Sequence, residues 1–109
     1  MIKKKLFLSG GGGMLGKAFY EIFSEDYILK CTDIDLNEKW LEYLDFREAD
    51  KYKMIVEKFR PNYLFHIGAF TDLEYCEKNE IETYRTNTES VKTAVAISNE
   101  LKIPLLYIS

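Results

Sequence analysis

The chain has 109 residues, 47% of them hydrophobic and 30% charged, with a net charge of −3. That is enough for one domain and not two. Lys and Arg are mixed among Asp and Glu, which argues against nucleic acid or an anionic membrane as the main partner. No apolar run reaches the length of a membrane span. Lysines precede the first apolar run, Leu6-Phe7-Leu8, but Ser9 and glycines end it too early for a signal-peptide core. Cys31 and Cys76 belong to no C-x-x-C and read as reduced thiols of a cytoplasmic protein. With His66 as the one histidine, a His-rich metal site is excluded, and no metal is expected.

The first predicted strand runs from Lys4 to Ser9. Its unbroken apolar centre suits a strand covered on both faces, as in a parallel sheet. Ser9-Gly10-Gly11-Gly12-Gly13-Met14-Leu15-Gly16 follows. Leu15, Ala18, Phe19, Ile22 and Phe23 then recur at helical spacing, so a helix is expected from Met14 to Ser24. A glycine run between a strand and a helix is the context of a nucleotide-binding turn. Gly10, Gly13 and Gly16 fit G-x-x-G-x-x-G. Such glycines let backbone N–H groups approach a pyrophosphate and let the helix close on the strand. The helix N-terminus adds unpaired N–H groups and a partial positive charge.

Tyr27 to Thr32 reads as the second strand. Asp33 follows, seventeen residues past Gly16, where the dinucleotide fold places an acid that accepts from ribose hydroxyls. A carboxylate there would repel a 2′-phosphate, which favours NAD over NADP. Asp35 is the second candidate, and either acid also suits a surface turn. Asn37 to Leu44 has apolar residues without a clean period and reads as a loop holding a short strand or turn. A helix is expected from Glu48 to Arg60, with Tyr52, Ile55, Val56 and Phe59 inward and Pro61 as its stop. Tyr63 to Ile67 is the next strand, ending at Gly68-Ala69. Asn79 is expected to open the longest helix, with Glu82 completing a capping box. Tyr84, Val91, Ala94, Val95, Ser98 and Leu101 are its expected inner face. Leu105 to Ser109 is the last strand. The alternation implies an α/β fold, a Rossmann-like doubly wound parallel sheet of strand order 3-2-1-4 with the ligand crevice between strands one and four, ending after the fourth strand.

Several stretches carry a resemblance. Ser9-Gly10-x-x-Gly13-x-x-Gly16 is similar to the T-G-x-x-G-x-x-G fingerprint of the extended short-chain dehydrogenases/reductases. Arg60-Pro61-Asn62 with His66-Ile67-Gly68-Ala69-Phe70-Thr71 resembles that family's R-P-D…N-A-A-A-x-T. Tyr84-Arg85-x-Asn87 resembles its Y-x-x-N, and Ile108-Ser109 the start of I-S-T-D. The likeness spans the chain and is greatest to the members that act on nucleotide-linked sugars.

The resemblance implies an NAD(P)-dependent oxidoreductase, with NAD(H) or NADP(H) as cofactor and a nucleotide sugar as substrate. It places Gly13, Met14 and Leu15 at the pyrophosphate, with Gly10 and Gly16 as further cofactor-binding glycines of the turn, Asp33 at the adenosine ribose, and Asp45 and Phe46 at the adenine. Gly68, Ala69 and Phe70 would lie under the nicotinamide side, and Asn87 would support the site. Asp45 is equally placed to cap the following helix, with Glu48 in a capping box. His66 stands where the family has Asn and reads as a hydrogen-bonded structural residue. The family's catalytic Ser or Thr follows the position of Ser109, and its Y-x-x-x-K lies further on. No Tyr here is followed by Lys four residues later. The 109 residues are therefore expected to be the N-terminal part of the cofactor domain of a longer enzyme, inactive alone. An exposed sheet edge of that kind invites association, a homodimer included. An epimerase or dehydratase that recycles its cofactor, or a cofactor-binding regulatory subunit, are the alternatives to a reductase.

Overall fold

A computed structural model describes residues 2–67 and 80–108. Among these residues five parallel strands form one sheet: β1 (Lys4–Ser9), β2 (Tyr27–Asp33), β3 (Leu41–Tyr43), β4 (Tyr63–His66) and β5 (Leu105–Tyr107). Helices α1 (Met14–Phe23), α2 (Ala49–Phe59) and α3 (Glu80–Leu101) alternate with them. The strand order is β3-β2-β1-β4-β5.

The expected 3-2-1-4 order is present, with one reassignment. Leu41–Tyr43 pairs with Cys31–Asp33 and takes the third place. The strand at Tyr63 thus becomes the fourth and lies against β1 on its other side. The strand at Leu105 becomes a fifth, outside β4. A three-residue strand shows no alternation to read, so its place was hidden inside an irregular stretch.

The pleat of β1 explains why both faces are covered. Leu6 and Leu8 point into one cluster, with Cys31, Leu41 and the α1 aromatics Phe19, Tyr20 and Phe23. Phe7 points into the other, with Tyr52 and Val56 of α2, Leu64 of β4, and Ala94 and Ile97 of α3. Helices thus cover both sides of the sheet, the doubly wound arrangement. Phe19 meets Phe65 edge to face at 5.6 Å, and Phe23 meets it at 6.2 Å.

Two helices turn differently from expectation. On α1 the inward stripe is Gly16, Phe19, Tyr20 and Phe23, while Leu15 and Ile22 are 42% and 64% exposed. The close approach at Gly16 sets that rotation, because only the glycine face fits against the turn. On α3 the buried residues are Thr83, Ser90, Ala94, Ile97 and Ser98, and Tyr84 and Val95 face outward. Small hydroxyl residues occupy part of its buried face, so apolarity alone misplaced the stripe. α2 ends as expected: Arg60 takes a left-handed conformation (φ 54°), its N–H caps Val56 O, and Pro61 follows. Asn79 and its capping box lie outside the described residues.

Replacing Phe7 by Ala should cost about 3–5 kcal/mol, whereas Ile22→Ala should stay within about 0.5 kcal/mol. Urea denaturation of the two variants checks this directly.

Candidate functional site

β1 hands the chain to α1 through residues 10–13. Gly10 sits at φ 79°, open to glycine at low cost. Gly10 N–H and Gly11 N–H both donate to Thr32 O at 2.9 Å, which pins the turn to the end of β2. A Cβ added at Gly16 would collide with the Gly11 backbone. Gly16 therefore lets α1 press onto the turn, and the helix starts beside the strand end.

Gly13 is the residue before the helix, in extended conformation (φ −89°, ψ −175°), with no side-chain cap on α1. A Cβ there would meet nothing within 4 Å. Met14 is 91% exposed and Leu15 is 42% exposed. Among the described residues, the head of α1 is thus not packed over at Gly13 and Met14. This is the geometry that receives an anion.

Asp33 closes β2 beside this turn. Its Oδ2 accepts Gly12 N–H at 2.8 Å. Its Oδ1 accepts Ile34 N–H at 2.7 Å and Asp35 N–H at 3.2 Å. Three donors hold the carboxylate in one orientation. Asp35 is exposed, and among the described residues its own carboxylate accepts no such backbone bond. Asn37, which the sequence alone does not single out, donates from Nδ2 to Gly12 O at 3.1 Å.

Leu44 N–H donates to Asp33 O at 3.1 Å, so the chain reaches Asp45 and Phe46 alongside the same strand end. Asp45 chelates Arg47: Nε lies 2.9 Å from Oδ1 and a terminal nitrogen 2.7 Å from Oδ2. That guanidinium holds the Asp45 carboxyl below the usual carboxylate range. The α2 cap is Glu48 and carries no side-chain bond, so the Asp45–Glu48 capping box does not form. Asp45 instead closes a local turn, its Oδ1 accepting Arg47 N–H at 3.0 Å. Gly68, Ala69 and Phe70 lie outside the described residues. The residue before them, Ile67, donates to Ser9 O at 3.0 Å, at the start of the glycine turn.

Below the turn lies a buried polar chain. Tyr52 Oη is 2.8 Å from His66 Nδ1, Ser9 Oγ is 3.3 Å from it, and Ser90 Oγ is 3.4 Å from His66 Nε2. Ser90 spends its proton on Asn87 O at 2.8 Å. Its oxygen is then left to accept, which assigns the ring proton to Nε2 and makes Nδ1 the acceptor of the Tyr52 hydroxyl. Phe46 packs on the ring at 5.0 Å. Burial lowers the His66 pKa to about 4 and raises that of Tyr52. His66 is thus a neutral structural residue, as expected. It ties the ends of β1 and β4 to α2 and α3. Half-buried Asn87 supports it through its backbone carbonyl. Cys31 is a buried free thiol pushed up to about 12 by burial and by Glu42, so it is no nucleophile. Among the described residues there is no group that could hold a metal, and no helix long and apolar enough to cross a membrane.

A parallel sheet covered on both faces, with a glycine turn and a fixed carboxylate at its carboxyl edge, defines a Rossmann-like α/β protein. More particularly, the chain belongs to the family described as the RmlD substrate binding domain, whose family model matches residues 4–109. A curated dTDP-4-dehydrorhamnose reductase from Aggregatibacter actinomycetemcomitans is 22% identical over 96% of this chain and 34% of its own. A solved hypothetical dTDP-4-dehydrorhamnose reductase from Sulfolobus tokodaii superposes with a TM-score of 0.86, 22% identity and coverage of 96% of this chain and 38% of that one. The Bacillus anthracis dTDP-4-dehydrorhamnose reductase, solved in complex with NADP, gives a TM-score of 0.81 and 25% identity over 100% of this chain and 37% of that one. The chain thus spans about a third of the length of these relatives. The resemblance drawn from the motifs is borne out at the level of the family.

Two outcomes follow from the geometry. Gly16→Ala should destabilise the fold by about 1–3 kcal/mol as α1 is forced off the turn, read as a lower denaturation midpoint. For His66, the folded state keeps the ring neutral to about pH 4, whereas the unfolded chain binds a proton near pH 6.5. Stability should therefore fall as pH drops below about 6.5, by roughly 2 kcal/mol between pH 7 and pH 5. His66→Asn should flatten that part of the profile, as measured by denaturation at each pH.

Proposed function

We propose that these residues form the cofactor-binding part of an NAD(P)-dependent reductase acting on a nucleotide-linked keto sugar. The observation that carries the reading is the turn at Gly10–Gly13. Its backbone is fixed to β2, among the described residues a Cβ on Gly13 at the head of α1 would meet nothing within 4 Å, and the Asp33 carboxylate lies 2.8 Å from Gly12 N. Gly13, Met14 and Leu15 would offer N–H groups to the pyrophosphate. Asp33 would accept from the adenosine ribose with the lone pairs that its three donors leave. Asp45 and Phe46 would border the adenine, Gly68 to Phe70 the nicotinamide side, and Asn87 would brace that side through Ser90 and His66.

The cofactor would supply hydride to the sugar ketone. The residues here bind and orient it, and the resemblance puts the proton-donating Tyr beyond residue 109. The membership of the family and the likeness to dTDP-4-dehydrorhamnose reductases support the substrate class. We place the protein in the cytoplasm, where Cys31 remains a thiol.

NAD(H) is the preferred cofactor in this reading. A 2′-phosphate would set a second anion beside Asp33, at a cost the ribose hydroxyl does not incur. The Bacillus anthracis relative binds NADP, so preference turns on the residues of each chain.

Gly13→Val tests the site. Nothing within 4 Å obstructs its first carbon, so the fold should persist while the side chain fills the pyrophosphate space. NADH affinity should drop beyond detection in calorimetry with an unchanged circular dichroism spectrum. Unchanged affinity would sink the reading. Wild-type protein should also bind NADH at least about tenfold more tightly than NADPH, a difference of about 1.4 kcal/mol, and Asp33→Ser should narrow the gap.

A further inference from the structure

Two consecutive peptide planes of the glycine turn are held from the same side by the β2 exit. The first is Gly11–Gly12. Asp33 Oδ2 takes its N–H at 2.8 Å. In a trans peptide the carbonyl points the opposite way, and Gly11 O indeed faces Gly16 of α1, where a Cβ would strike it. The second plane is Gly12–Gly13. Asn37 Nδ2 takes its carbonyl at 3.1 Å. By the same planarity, the Gly13 N–H must point away from Asn37, and among the described residues a Cβ on Gly13 would meet nothing within 4 Å.

Asn37 does not reach that carbonyl by chance of an exposed side chain. The loop that bears it is fastened at both ends. Asp33 Oδ1 fixes residues 34 and 35 at its start. At its end Trp40 lies flat on Tyr20 of α1, ring centres 4.1 Å apart and planes 4° from parallel. Between them, Glu38 lies 4.0 Å from Lys17 of α1. The residues before Asn37 are thus tied to Asp33, and those after it to the helix whose N-terminus it serves.

We propose that Asn37 is a positioning residue of the pyrophosphate site. By accepting no role at the ligand itself and holding Gly12 O, it presets the Gly13 N–H for a phosphate oxygen. This inference rests on the dinucleotide reading above and adds to it a residue that no spacing rule marks. Without the bond, the Gly12–Gly13 plane is free to rotate about its flanking glycine bonds, which resist little. The N–H then has to be ordered at the moment of binding, which lowers affinity.

The test is a calorimetric titration of NADH into wild type, Asn37→Ala and Asn37→Asp, with the melting temperature and amide spectrum of each free protein. Asn37→Asp keeps the shape and replaces the donor by an acceptor. The expected result is NADH binding about tenfold weaker in Asn37→Ala and weaker still in Asn37→Asp. The ¹⁵N resonance of Gly13 should move in both free variants while those of Leu6 to Leu8 stay in place, and melting temperatures should remain within a few degrees. A purely structural Asn37 would lower the melting temperature along with affinity and spread resonance changes through β1 and β2, which overturns the proposal. So does wild-type-like NADH binding in both variants. If wild-type protein binds neither NADH nor NADPH, the dinucleotide reading itself fails and takes this one with it.

Discussion

Everything at the carboxyl edge of this sheet depends on how closely α1 can begin beside the end of β1. Gly16 carries no side chain at the one position where a Cβ would enter the Gly11 backbone. That single absence sets the rotation of α1. It turns Phe19, Tyr20 and Phe23 onto the sheet and leaves Leu15 and Ile22 outside. It also brings the helix N-terminus to the point where β2 ends in Asp33. Packing and binding geometry are therefore one constraint here. A helix shifted outward would lose aromatic contacts with Phe65 and would aim its N–H groups elsewhere.

A second layer supports the first from beneath. The hydroxyls of Ser9, Tyr52 and Ser90 surround the neutral His66 ring, which is 1% exposed. Each polar atom of the chain finds a partner, so its burial is not the penalty that an unpaired group would be. The chain links β1, β4, α2 and α3 at the level where residues 9 and 66 are paired across the two strands. It holds the two strand ends that bracket the crevice of a Rossmann-like sheet.

The glycine turn, the alternation of strand and helix, and the acid at position 33 were legible in the sequence because each leaves a local pattern. The division of labour among the glycines was not. Spacing points to Gly10, Gly13 and Gly16, yet Gly11 is the backbone that Gly16 must clear and Gly12 is the one held by Asp33 and Asn37. Asn37 leaves no pattern at all, since an Asn in an acidic loop also suits an ordinary turn, and its role comes from the folded path of residues 34–40. The short strand expected within Asn37–Leu44 is β3, but its bounds and its place in the sheet were not legible because three residues show no period; the α3 stripe was missed because the small hydroxyl residues Thr83, Ser90 and Ser98 are buried despite their polarity. Asp45 was read as a helix cap or an adenine neighbour, and its pairing with Arg47 depended on a local turn that either reading allowed.

An amide chemical-shift map of the protein titrated with NADH reads the glycine turn and its ligand directly. The largest changes should fall on Gly12, Gly13, Met14 and Leu15, with a second group at Asp33 to Asn37, while β3 and the outer face of α3 stay unchanged. Saturable binding with its largest changes elsewhere, or no change at the glycine turn at millimolar NADH, would contradict a dinucleotide site there.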